Sequence, residues 1–248
     1  MRIADKEIGS LAELIQHLRT DKPQDQHTWF RGQAKAEWKL EPSLTRAGGL
    51  DAELSLIKRF KQNALANMIN RPIDEWDWLF VMQHHGLPTR LLDWTEGPLV
   101  ALYFALNDPG VPVDAEPAAL WALLPAQLNI HSKLRGKSPL DIPGFGDDEH
   151  LNAYLPSKVS SPGVAFGPLA AIAARNNVRI QMQQGVFTVC HKELTALEEV
   201  PDPNFVWRYI IPAEKKQVMR EELRILNVTK LSLFPELANV AEHARGMI

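Results

Sequence analysis

The chain is almost without cysteine. Of its 248 residues only Cys190 carries a thiol. No disulfide can therefore close within one chain, and a zinc centre built on several cysteines is excluded. An excess of positive charge is also missing. The net charge is −3 and the pI is near 6.2, which argues against coating nucleic acid through bulk charge and leaves only a local basic groove open. No uncharged apolar run reaches the ~20 residues needed to span a bilayer, and the first residues have no apolar signal core. The expectation is a soluble, cytoplasmic protein with no membrane partner. There is no Gly-rich phosphate loop, zinc-protease signature, nucleophile elbow or internal repeat.

What is present is an ordinary globular composition, with 45% hydrophobic and 23% charged residues and seven Trp. The length fits one large domain, 1–248, carrying a sizeable insertion. One stretch, 82–106, stands out. Gln83, His84, His85, Thr89, Arg90, Asp93 and Trp94 crowd its first half, whereas 99–106 contains no charge. Buried polar groups must find partners or cost free energy. Such a cluster running into a buried helix is either a site or a hydrogen-bonded clamp in which Arg90 and Asp93 satisfy each other.

Before it, Ser10 and Glu13 form a capping-box pattern ahead of an amphipathic helix. Thr28, Trp29 and Phe30 favour a strand, and Gly32 breaks it and lets another group approach the backbone. Arg31 then lies at a strand end, where its planar fork suits a phosphate or carboxylate, or pairs internally with Asp93. Residues 37–46 read as extended or turn-rich, with Pro42 arguing against a helix, and 51–69 as a helix. Asp74 caps a helix that ends at Gly86 and Pro88, so its neighbouring His84 and His85 cannot both ligate one metal. No metal site is predicted. Asp93 or Thr95 would cap the next helix, with Pro98 in its first turn and an N-terminus able to attract an anion.

Downstream, 118–124 reads as a buried strand. Residues 136–168 hold five Pro and five Gly, which marks about 125–170 as a lid or insertion. Alternation around Gly185 suggests a strand over 178–190, with Gln181, Gln183 and Gln184 before the glycine. A strand at 205–211, a helix opened by Pro212 and a last helix from Phe234 complete an α+β pattern: a mixed or antiparallel sheet with packed helices. The polar set of Arg, His, Gln, Thr and Trp suits a phosphorylated, hydroxyl-rich aromatic ligand such as a nucleotide.

Several motifs carry a resemblance. Trp29-Phe30-Arg31-Gly32-Gln33, the run QHHGLPTRLLDWT at 83–95, ALYFA at 101–105 and QGVF at 184–187 resemble the FRG domain, named for its Phe-Arg-Gly motif, over about 8–245. That resemblance implies bacterial and phage settings, with defence or toxin roles among them. A weaker one links the order of these motifs to ADP-ribosyltransferases and to a fold like theirs. It implies that Arg31 holds the phosphates or the adenosine ribose of NAD as substrate, with Gly32 and Gln33 among the residues that bind the ligand. Gln83, His85, Thr89, Arg90, Trp94, Thr95 and Gln183 would surround the ligand. His84 and Asp93 would act in catalysis, and Gln184 would take the place of the catalytic carboxylate, which a neutral amide replaces poorly. Three readings stay open: an NAD-consuming, ADP-ribosyltransferase-like enzyme; a non-catalytic nucleotide-sensing or interaction module; and a nuclease or nucleic-acid binder whose groove includes Lys35, Lys39 and the 133–137 region. The target would be a protein or a nucleic acid.

Overall fold

The computed structural model describes residues 3–68, 71–112, 114–133, 141–159, 165–174 and 178–245. Among these, seven strands form one sheet: β1 (Lys6–Glu7), β2 (Trp29–Gln33), β3 (Leu91–Thr95), β4 (Ala118–Leu123), β5 (Leu169–Ala171), β6 (Gly185–Val189) and β7 (Val206–Ile211), in the order β1-β7-β4-β2-β3-β6-β5. Only β1 runs parallel to its neighbour; the other pairs are antiparallel. The sheet is therefore mixed, with helices packed on it, as the α+β pattern predicts. The helices are α1 (Leu11–Asp21), α2 (Ser43–Arg46), α3 (Leu50–Ala64), α4 (Glu75–His84), α5 (Pro98–Leu106), α6 (Pro125–His131), α7 (Pro156–Val159), α8 (Val178–Met182), α9 (Lys216–Ile225), α10 (Lys230–Leu233) and α11 (Leu237–Arg245). Among the described residues, none is long and apolar enough to cross a membrane.

The sheet is uneven where β2 meets β3. β2 pairs with β4 along its whole length, and β3 does the same with β6. Between β2 and β3 the register holds only at Phe30 opposite Thr95, so the two strands diverge beyond it. Period-two alternation sorts the β3–β6–β5 side onto two cores. Leu92, Trp94, Val186 and Ala170 join the larger core with α5, while Leu91, Phe187, Val189 and Leu169 join a second one with Ile57, Trp76, Leu79 and Met82.

Several local expectations are corrected. Residues 37–42 are irregular as expected, but Pro42 does not bar a helix after it; it occupies the N-cap position of α2, where a fixed φ is compatible with a helix start. The helix expected over 51–69 runs as α3 and then tightens into a 3-10 turn at Leu65–Asn67, and Ile69 lies outside the described residues. Residues 178–182 are helical, not a strand. Gln184 takes a left-handed φ of 48° and turns the chain into β6 at Gly185. Phe234 does not begin the last helix but lies between α10 and α11. The described part of 125–170 is built into the fold as α6, α7 and the edge strand β5. The stretches 134–140 and 160–164 fall outside the described residues.

Candidate functional site

A cleft of about 1180 Å³ opens at the divergence of β2 and β3. It is lined from both faces of the sheet. Arg31, Gln33 and Asp93 lie on one side, and Ala101, Tyr103 and Phe104 of α5 on the other. The C-terminal end of α4 contributes Gln83, His84 and His85; α8 and the turn after it contribute Arg179 and Gln183. The cleft thus joins Arg31 to the 83–95 stretch and to Gln183, whereas Gln181 and Gln184 do not line it.

Arg31 bridges the split. Its Nη1 donates to the Asp93 carbonyl at 2.6 Å, and the Asp93 carboxylate stands 4.0 Å away. That carbonyl is the one acceptor Arg31 finds among the described residues, and its buried Nε has none. Burial pushes the guanidinium below its ordinary value, with Asp93 opposing, but an arginine stays charged there. Asp93 itself is 60% exposed at the side chain. His84 is half-buried. Burial, then the charges of Arg179 and His85, hold its imidazole below the usual range, against Glu236. His84 is therefore neutral near pH 7 and able to accept a proton.

Of the other predicted ligand contacts, Gly32, Gln33, Gln83, His85, Trp94, Thr95 and Gln183 line the cleft, but most are committed to the scaffold. A Cβ on Gly32 would lie 1.8 Å from the Ala101 carbonyl oxygen and 2.5 Å from the Ala105 nitrogen. The glycine exists to let α5 lie against β2. Gln33 accepts from Trp121 Nε1 at 2.7 Å and donates to the Lys39 carbonyl at 3.0 Å. Trp94 is buried and donates to Thr188. Thr95 donates to the Gln183 carbonyl at 2.7 Å and accepts from the Gly97 N–H at 3.0 Å. Its role is to tie the turn after α8 to the start of α5, whose N-cap position is Gly97. The Gln183 side chain donates to the Leu233 carbonyl.

Three predicted residues do not line the cleft. Thr89 is fully buried and donates to Gln83 Oε1 at 2.5 Å. Arg90, 1% exposed, pairs with Glu53 of α3, donating from Nε at 2.9 Å and from Nη2, and its Nη1 donates to the carbonyls of Cys190 and His191. The clamp is real, but its carboxylate is Glu53, because alternation along β3 turns Asp93 to the cleft. The side-chain oxygen of Gln184 comes within 3.0 Å of the Cβ position at Gly97 and so covers the beginning of α5. The anion site expected at that helix start is not part of the cleft.

Of the basic groove expected from Lys35, Lys39 and 133–137, residues 134–137 fall outside the described residues, leaving Lys35 and Lys39. Each is paired with a carboxylate, Glu116 and Glu199, and neither lines the cleft. Among the described residues no three His, Cys, Asp or Glu side chains converge to hold a metal. Lining residues that sequence reasoning did not assign are Trp38, Arg71, Tyr103, Phe104, Asn107, Arg179, Lys230 and Phe234. Tyr103 and Phe104 carried a signal, as two aromatics inside a helix otherwise made of small and aliphatic residues. Arg71 and Lys230 carried none, since each lies far from the motifs in the chain, and Arg179 stands five residues before the QGVF motif but outside it.

Neither a search of curated proteins nor one of solved structures finds a match. The model of the FRG domain matches residues 26–112, the span that holds β2, α4, β3 and α5 and hence Arg31, His84 and Asp93. Over that span the chain carries an FRG domain, and the domain's Arg31 lines the cleft.

Proposed function

We infer that the cleft binds a nucleotide, with NAD the ligand that fits best, and that the protein acts as an ADP-ribosyltransferase-like enzyme. One observation carries this reading: Arg31 stands where the sheet divides, with most of its donors uncommitted and an open cleft before it. A pyrophosphate supplies the acceptors such a fork lacks. The Asp93 carboxylate beside it would stabilise positive charge developing on a ribose as the bond to nicotinamide breaks with its electron pair on the leaving ring. Neutral His84 would take the proton of the attacking group. A bacterial defence or toxin setting follows from the FRG resemblance alone.

A second reading is favoured by one specific feature. The position assigned to the catalytic carboxylate is Gln184, which is neutral and does not line the cleft. A module that senses a nucleotide without consuming it fits that feature.

Calorimetric titration with NAD, ADP-ribose and ATP tests both. NAD binding that weakens in Arg31→Lys, which keeps the charge but not the fork, is expected. Nicotinamide release that is lost in Asp93→Asn would favour the enzyme, and binding without release would favour the sensor. A folded protein that binds none of the three nucleotides would end both.

A further inference from the structure

Two amides that line the cleft are only half spent. The Gln183 side chain donates from Nε2 to the Leu233 carbonyl at 3.1 Å. Asn239, in the first turn of α11, donates from Nδ2 to the Phe234 carbonyl at 3.0 Å and to the Glu236 carboxylate at 3.1 Å. A carbonyl only accepts, so in both side chains the nitrogen faces the backbone and the oxygen is left over. Both N–H groups of Asn239 are used; Gln183 keeps one. Neither oxygen has a partner among the described residues, and neither is shut away from solvent. Both residues line the cleft, and the carbonyls they hold belong to consecutive residues, so the two amides are docked on one short stretch of chain.

That stretch is bordered by aromatic side chains. Tyr103, Phe104 and Phe234 all line the cleft. The Phe234 ring stands 5.8 Å from Phe104 and 6.5 Å from Tyr103, centre to centre. The neighbouring ammonium of Lys230 is already paired with Glu242 at 2.6 Å. A phosphate therefore gains little here, because it brings acceptors to acceptors. A sugar hydroxyl would satisfy the oxygens and gain nothing from the rings. A flat ring that carries an NH2 group gains from both, since the ring packs on aromatic surface and one NH2 has two hydrogens to give.

We propose that Gln183 and Asn239 recognise an NH2 group on a flat ring of the ligand, accepting its hydrogen bonds through their side-chain oxygens. The identity of the ligand rests on the nucleotide reading above. In NAD two groups have this chemistry, the amino group of adenine and the amide nitrogen of the nicotinamide carboxamide. An oxo group in the same place turns an acceptor toward acceptors and leaves them unpaired. The cleft then selects by hydrogen-bond sense, amino over oxo. Both residues lie outside the FRG-matched span of 26–112, so the choice of ring is made by a part of the chain other than the one that carries Arg31.

The test is calorimetric titration of the full chain with NAD, with nicotinamide hypoxanthine dinucleotide and with nicotinic acid adenine dinucleotide. The second replaces the adenine amino group by oxo, and the third replaces the amide nitrogen by a carboxylate oxygen. One of the two should bind at least about 10-fold more weakly than NAD, and which one it is names the ring. Asn239→Leu, and separately Gln183→Met, should bring that ratio to within about 3-fold, by weakening NAD and leaving the analogue unchanged. Thermal melting verifies that the variants fold. Amides that only brace the wall would, when removed, weaken all three ligands alike. A ratio that neither variant moves, or equal binding of the three dinucleotides by the wild type, overturns the proposal. Free adenosine against inosine, and nicotinamide against nicotinic acid, titrated to about millimolar Kd, separate it from the nucleotide reading. If NAD fails and one of the free rings binds in preference to its oxo counterpart, only the nucleotide reading falls. If NAD binds without preference, only this inference falls, and if nothing binds, both do.

Discussion

Gly32→Ala should destabilise the fold by about 3 kcal/mol or more, at or above the top of the usual overpacking range. The added methyl group would sit 1.8 Å from the Ala101 carbonyl oxygen and 2.5 Å from the Ala105 nitrogen. Both are backbone atoms of α5, so no side chain can turn aside. Reaching even 3.0 Å requires helix and strand to part by about 1.2 Å. β2 cannot retreat within the sheet, because it is bonded to β4 along its length. α5 cannot retreat easily either, since Ala101, Leu102 and Ala105 are fully buried in the core that contains Met219 and Leu223 of α9. Urea unfolding measures the effect. With a slope of about 2–3 kcal/mol per molar, the midpoint should fall by about 1 M or more. Gly110→Ala is the control. Its nearest neighbour is a side-chain oxygen of Asp108 on an exposed loop, and a shift within about 0.5 kcal/mol is expected. A Gly32→Ala protein with an unchanged midpoint and impaired ligand binding would refute the packing explanation and return Gly32 to the ligand.

Three further perturbations probe the scaffold and its titration. Glu53→Gln or Arg90→Met alone should cost about 3–5 kcal/mol by leaving a buried charge without its partner, while the double variant Glu53→Leu/Arg90→Met should cost clearly less than the sum in denaturant unfolding. Thr95→Val should cost about 1–3 kcal/mol by removing the hydroxyl that joins Gln183 to Gly97, read in the same way. Burial and Arg179 hold His84 below its unfolded value near 6.5, so the unfolded chain binds more protons just below that pH. Stability should then rise as pH climbs toward 6.5 and level off above it, and His84→Gln should flatten that rise in a series of urea midpoints. Buried His191 is shifted in the same direction, so some slope should remain.

The sequence made the strands legible where pattern and burial agree. Residues 118–123 and 206–211 are mainly apolar runs of strand length, and both are strands, while Trp29 and Phe30 open a strand that runs on through Gly32 to Gln33 instead of breaking there. The capping signals at Ser10 and Asp74 read correctly because each depends on a bond to the nearby N–H of Glu13 or Asp77. The α8–β6 boundary was misread because Gln184 supplies a left-handed turn that any neighbour's propensity hides. At the candidate site, Arg31, His84 and Asp93 were legible as polar residues beside apolar elements. Arg90 was not, because its partner Glu53 lies on a helix 37 positions earlier, and no local rule reports such a pairing. Arg71, Arg179 and Lys230 reach the cleft only through tertiary packing.

The broken register between β2 and β3 bears on where this protein can be cut. The FRG-matched span ends at 112, yet the full-length partner of β2 is β4, at 118–123, and that of β3 is β6, at 185–189. A fragment stopped at the boundary of the match would keep two strands that touch at a single position and would lose both of their long partners. Such a fragment is not a portable module. Any fusion, truncation or transplant that keeps Arg31 in working order must carry the chain at least through β6, and through β7 at 206–211 if β4 is not to become a bare edge.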